Sequence, residues 1–149
     1  MTTENDLLEF VMSWTSGLSK IQASYEKNKD FKECTYQFID KHYLFNQESV
    51  LFKPTLTNKV IFRNSTEDAI SYFIGGKYSE DSGFALKQFE TLKLKETHTI
   101  IEKDLLAIMG ILFIKLKNSD EIIKVAFTFI LKPTESGLKI KIHHSSLII

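Results

Sequence analysis

Apolar residues recur at Leu7, Val11, Trp14, Leu18, Ile21 and Tyr25, in alternating steps of four and three. That spacing lines one stripe of a helix and predicts an amphipathic α-helix at the start of the chain. Thr3 with Asp6 reads as a capping box in which Asp stands in for Glu. The run Asn28-Lys29-Asp30 breaks the pattern. A second helix is predicted from Phe31 to His42, with Asp30 as N-cap and Glu33 three residues on. Its apolar face comprises Phe31, Cys34, Thr35, Phe38 and Ile39. The two helices form a hairpin that shares one buried face.

The period then changes. Val50–Lys53 is predicted as a short strand stopped by Pro54, which cannot donate to a ladder, and Thr55 follows at this break. Val60–Arg63 reads as its partner strand. A third helix starts with Ser65 as N-cap and Asp68 at N3, carries Ala69, Ile70, Tyr72 and Phe73, and ends at Gly75-Gly76. Beyond Phe84 the predicted strands are Phe89–Thr97, Thr99–Glu102, Leu105–Leu116, Ile122–Leu131 and Leu138–Ser145. Turn signals at Lys117–Asp120 and Pro133–Gly137 separate several of them. Helices first and an antiparallel meander afterwards define an α+β class, not βαβ. No linker or repeat divides the chain, so residues 1–149 are expected to form one domain.

Composition narrows the function classes. Lys+Arg and Asp+Glu are 19 each, so no net field draws the chain to nucleic acid or an anionic membrane. No apolar run approaches the ~18 residues of a membrane span. The N-terminus is polar and acidic, with no leader pattern, so the cytoplasm is the expected compartment. Cys34 is the one cysteine and is read as a small buried residue, not a nucleophile. The 12 Phe residues favour a deep aromatic core or a packed oligomer interface.

Gly-rich phosphate loops, Cys-x-x-Cys, His-Glu-x-x-His and Gly-x-Ser-x-Gly are all absent. The unusual feature is His143-His144-Ser145-Ser146, on the last strand. Alternation sets His143 and Ser145 on one face and His144 and Ser146 on the other. Adjacent histidines on a strand cannot readily share an ion, and a catalytic zinc site wants three protein ligands. A Ser/His nucleophile pair needs an orienting group and an oxyanion hole besides. From periodicity alone, these four residues hydrogen-bond across strands at a sheet end. Alternation also groups Ile140 and Ile142 with His144 and Ser146, so an unbroken strand aims that second pair at the apolar interior. A β-bulge would reverse it.

Six segments together resemble the iota-class carbonic anhydrase domain. They are Val50–Thr55, Phe62-Arg63, Ser71–Gly76, Glu80–Ala85, Ala107–Gly110 and His143–Leu147. The resemblance spans residues 14–147 and implies an NTF2-like cone, a curved antiparallel sheet wrapped around the N-terminal helices, related to the calcium/calmodulin-dependent kinase II association domain. It implies reversible hydration of carbon dioxide without metal or other cofactor, bicarbonate or another small anion as ligand, and a homodimer paired through the sheet. Carried over by motif, Thr55 holds a bicarbonate oxygen or the attacking water. Tyr72 and Ser145 complete the hydrogen-bonded site, and His143 orients one of these groups or shuttles the proton. Arg63, His144 and Ser146 are the further substrate-binding candidates. The chain departs from the family pattern where Ala126 and Phe127 replace Glu and Tyr, where Lys87–Phe89 replaces Pro-Trp, and where Ile111-Leu112 follows Met109-Gly110. Two non-catalytic readings of the same fold stand beside the enzyme: a small-molecule or anion-binding module, and an oligomerisation domain.

Overall fold

The structure, a computed structural model, describes residues 1–149. Its elements in chain order are α1 (Glu4–Glu26), α2 (Phe31–His42), β1 (Leu51–Lys53), α3 (Thr66–Ile74), β2 (Phe89–Glu102), β3 (Leu105–Leu116), β4 (Ile122–Thr134) and β5 (Gly137–Leu147). The class is α+β. The predicted caps form: Thr3 and Asp6 make a reciprocal capping box, Asp30 accepts from Glu33 N–H, and Ser65 accepts from Asp68 N–H. The α1 stripe is buried from Leu7 to Ile21, but Tyr25, in the last turn, is 45% exposed. On α2, Thr35, Phe38, Ile39 and His42 are buried, whereas Phe31 and Cys34 are only half-buried.

The five strands form one sheet in the order β1-β5-β4-β3-β2. The meander of β2 to β5 is antiparallel, as predicted. The two strands expected over Phe89–Glu102 are one strand, kinked by bulges near Glu90 and Lys95 that let it curve. Val60–Arg63 is not a strand. β1 pairs in parallel with β5 instead, aligning Phe52 with His143 and Lys53 with His144. Only one backbone bond, Arg63 N–H to Phe52 O at 2.7 Å, joins the two segments expected to pair.

On β5 a bulge decides which residues face inward. Ile130 pairs with Ile142 and Leu131 with Ile140, leaving Lys141 without a partner. The extra residue rotates the strand by one position. Ile140 and His143 therefore both face the core, and Ser145 follows His143 inward. The concave face carries Ile108, Leu112 and Ile114 from β3 and Val125, Phe127, Phe129 and Leu131 from β4. It packs on α1 mainly through aromatic edges: Phe10 and Trp14 meet Phe129 at ring separations of 5.8 and 5.7 Å.

Candidate active site

Between the helices and the concave face lies a small cavity walled by Trp14, Phe52, Phe84, Phe127 and Phe129 among others. It offers about 20 Å³ to the centre of a water-sized sphere. One water needs about 10–15 Å³ on that measure, so the enclosed space is that of one to two waters. Four polar side chains enter its lining: Thr55, Tyr72, His143 and Ser145. No carboxylate or thiol does. With one histidine as the sole nitrogen ligand, this lining falls short of the three protein ligands of a catalytic zinc.

His143 is held from every side. Phe52 stacks on it at 4.5 Å, while Phe129 and Trp14 meet it edge-on at 4.6 and 5.7 Å. Its Nδ1 lies 2.9 Å from the Tyr43 hydroxyl and its Nε2 lies 2.6 Å from Ser145 Oγ. Burial, with smaller pushes from His144 and Lys53, pulls its pKa from 6.5 down to about 3. The ring is therefore neutral at neutral pH. That geometry fits the orienting role expected of His143 and argues against its storing a proton. Lys53 donates from Nζ to the Ser145 carbonyl at 2.7 Å, placing an ammonium behind the same strand.

Thr55 and Tyr72 form the opposite wall. Thr55 follows Pro54, where β1 stops. Tyr72 projects from the buried face of α3, and its hydroxyl accepts from Leu56 N–H at 3.2 Å. Burial pushes the Tyr72 phenol up, opposed by hydrogen bonding from Leu56 and Thr55, so it stays protonated.

The loop that carries Thr55 is irregular and is tied down by charge. Glu80 accepts from the backbone N–H groups of Asn58, Lys59 and Val60 at 2.6, 3.0 and 2.7 Å. Arg63 does not enter the cavity. Its side chain is 0% exposed and grips Asp81 with two bonds of 2.6 and 2.8 Å. Asp81 also accepts from Ser71 Oγ at 2.5 Å, which fixes α3. The substrate-binding expectation for Arg63 is thus corrected: its charge is neutralised in a buried clamp that positions the Thr55 loop.

His144 and Ser146 are likewise not in the cavity. The bulge at Lys141 turns them onto the convex face, where they line a groove with Glu96, His98, Met109 and Thr128. The two departures on β4 separate in the same way. Phe127 faces the cavity opposite Ser145, and its ring lies over Gly110, where a Cβ would sit 2.6 Å from Cζ. Ala126 faces outward, opposite Ser146. Sequence reasoning missed Tyr43, Lys53 and the Glu80–Asp81 pair as parts of the site. Tyr43 sits one residue past α2, in no motif. Lys53, Glu80 and Asp81 lie inside quoted motifs, yet their partners are distant in sequence.

A sheet of this topology wrapped on N-terminal helices, with a small cavity lined by hydroxyls and one buried histidine, defines an NTF2-like domain. An NTF2-like protein from Cytophaga hutchinsonii shares the fold with a TM-score of 0.64 at 10% identity, over 99% of this chain and all of that one. Residues 5–147 match the family described as metal-independent carbonic anhydrase, and the chain belongs to that family. It is 31% identical over 150 residues to a metal-independent carbonic anhydrase from Nostoc sp. (strain PCC 7120), covering 97% of this chain and 73% of that protein. It also superposes, with a TM-score of 0.91 at 29% identity, on the crystal structure of an iota-carbonic anhydrase from a cyanobacterium complexed with bicarbonate, over 99% of this chain and 93% of that one.

Proposed function

We propose that this protein catalyses the reversible hydration of carbon dioxide to bicarbonate in the cavity between Thr55, Tyr72, His143 and Ser145. The observation that carries this reading is that three hydroxyl side chains and one buried imidazole line a single cavity of about 20 Å³. Apolar walls admit neutral carbon dioxide. The hydroxyls hold the attacking water and the oxygens on which negative charge develops, and such preorganised donors lower the barrier most where water is excluded. Lys53 behind Ser145 favours the anionic product. Water adds to carbon dioxide to give bicarbonate and one proton, and that proton passes to buffer base, because both nitrogens of His143 are already hydrogen-bonded.

Loss of ¹⁸O from labelled bicarbonate, followed with a chelator present, tests the reading. Exchange well above the buffer rate is expected from the wild-type protein. Exchange at the buffer rate would leave a binding module in the same cavity.

We also infer that two copies pair through the convex sheet face. This face carries exposed Met109 and half-buried Ile111, Phe113 and Ile130, where a solvated sheet would be polar. Light scattering at twice the chain mass is the expected result.

A further inference from the structure

The hydrogen-bond chain behind Ser145 has a direction. Trp14 Nε1 can only donate, and it donates to Tyr43 Oη at 3.1 Å. The Tyr43 ring is otherwise packed among Phe38, Phe45 and Phe52, so His143 Nδ1, at 2.9 Å, is the acceptor for its phenolic hydrogen. No buried side-chain nitrogen or oxygen in the molecule lacks a partner, and turning this bond around would strand that hydrogen in an apolar box. With Nδ1 accepting, the neutral ring carries its proton on Nε2 and donates it to Ser145 Oγ at 2.6 Å. The hydrogen of Ser145 is then left for the cavity.

We propose that Tyr43, anchored by Trp14, is a positioning residue that makes Ser145 an obligate donor into the cavity, so that Ser145 binds an acceptor oxygen of carbon dioxide or bicarbonate and the attacking water falls to Thr55 and Tyr72. The proposal rests on the hydration reading for its substrate, but the donor assignment stands on geometry alone. Because Trp14 has no acceptor, the chain is a dead end for protons. It fixes an orientation and conducts nothing. The burial that keeps the ring neutral supports the same picture.

The molecule contains its own contrast. His42 is also buried, but its Nδ1 lies 2.8 Å from the Phe38 carbonyl, which can only accept, and its Nε2 lies 2.9 Å from Ser13 Oγ. His42 must carry its proton on Nδ1, the opposite tautomer.

Two-bond ¹H–¹⁵N spectra of ¹⁵N-histidine-labelled wild-type protein read both rings directly. The expected result is a proton on Nε2 of His143 and on Nδ1 of His42. A proton on Nδ1 of His143 would make Ser145 a donor to the ring and overturn the proposal. In a second arm, Tyr43→Phe should lower kcat for hydration by about tenfold, with KM changed by less than about twofold, because a misaimed donor costs rate more than binding. An unchanged kcat in a folded variant also overturns it. An inactive wild-type protein with the Nε2 proton would sink the hydration reading and leave the donor assignment standing. An active one with the Nδ1 proton would do the reverse.

Discussion

His143 is a buried, neutral imidazole held between the Tyr43 hydroxyl and Ser145 Oγ. Its protonation depends on a box of Phe52, Phe129 and Trp14, from three elements, and Tyr43, the residue after α2. The four groups assigned to catalysis by resemblance do line one cavity. Arg63, His144 and Ser146 do not, since charge and alternation look the same in sequence whether a side chain is buried, clamped or turned outward. Ser145→Ala removes a donor aimed at developing charge and should lower kcat by about 10²-fold or more; it also leaves the buried His143 Nε2–H without its acceptor and should cost about 1–3 kcal/mol of stability. Gly110→Ala sets a Cβ 2.6 Å from Phe127 Cζ. It should press that ring into the cavity, costing about 1–3 kcal/mol of stability by urea titration and much of the activity.

Helices were legible because their signals are local: period, N-cap and stop lie within one segment. The sheet was legible where strands follow one another through tight turns. The parallel pairing of β1 with β5 was not, because it joins residues some ninety positions apart through a strand of three residues. The bulge at Lys141 was equally hidden, since Lys139 and Lys141 alternate as smoothly as in an unbroken strand. That single residue decides which His and Ser face the ligand. The loop between β1 and α3 has no regular structure to hold it, so the Arg63–Asp81 pair does so. Arg63→Met leaves a buried carboxylate without its partner and should cost about 3–5 kcal/mol by chemical denaturation. Activity should fall with it even below the melting temperature, because Thr55 rides on that loop. Full activity in a stable Arg63→Met protein would contradict the clamp.

For the whole molecule, the buried histidines tie stability to pH. Burial lowers the pKa of His42 to about 4 and of His143 to about 3, below the 6.5 of an unfolded chain. The unfolded state therefore binds protons more readily in that range. Their contribution to stability is complete above about pH 6.5 and is lost as pH falls toward about 4 and then about 3. The urea midpoint should drop steadily from pH 7 to pH 4.5, and a flat profile would mean that these rings are not held neutral. The same neutrality predicts that hydration between pH 6 and 8 shows no inflection from His143. The chemistry is assigned to one cavity, so the most direct test is stopped-flow carbon dioxide hydration with a pH indicator, comparing wild type with Ser145→Ala. A wild-type rate well above buffer that collapses in the variant is the predicted result. A variant as fast as wild type would place the reaction elsewhere.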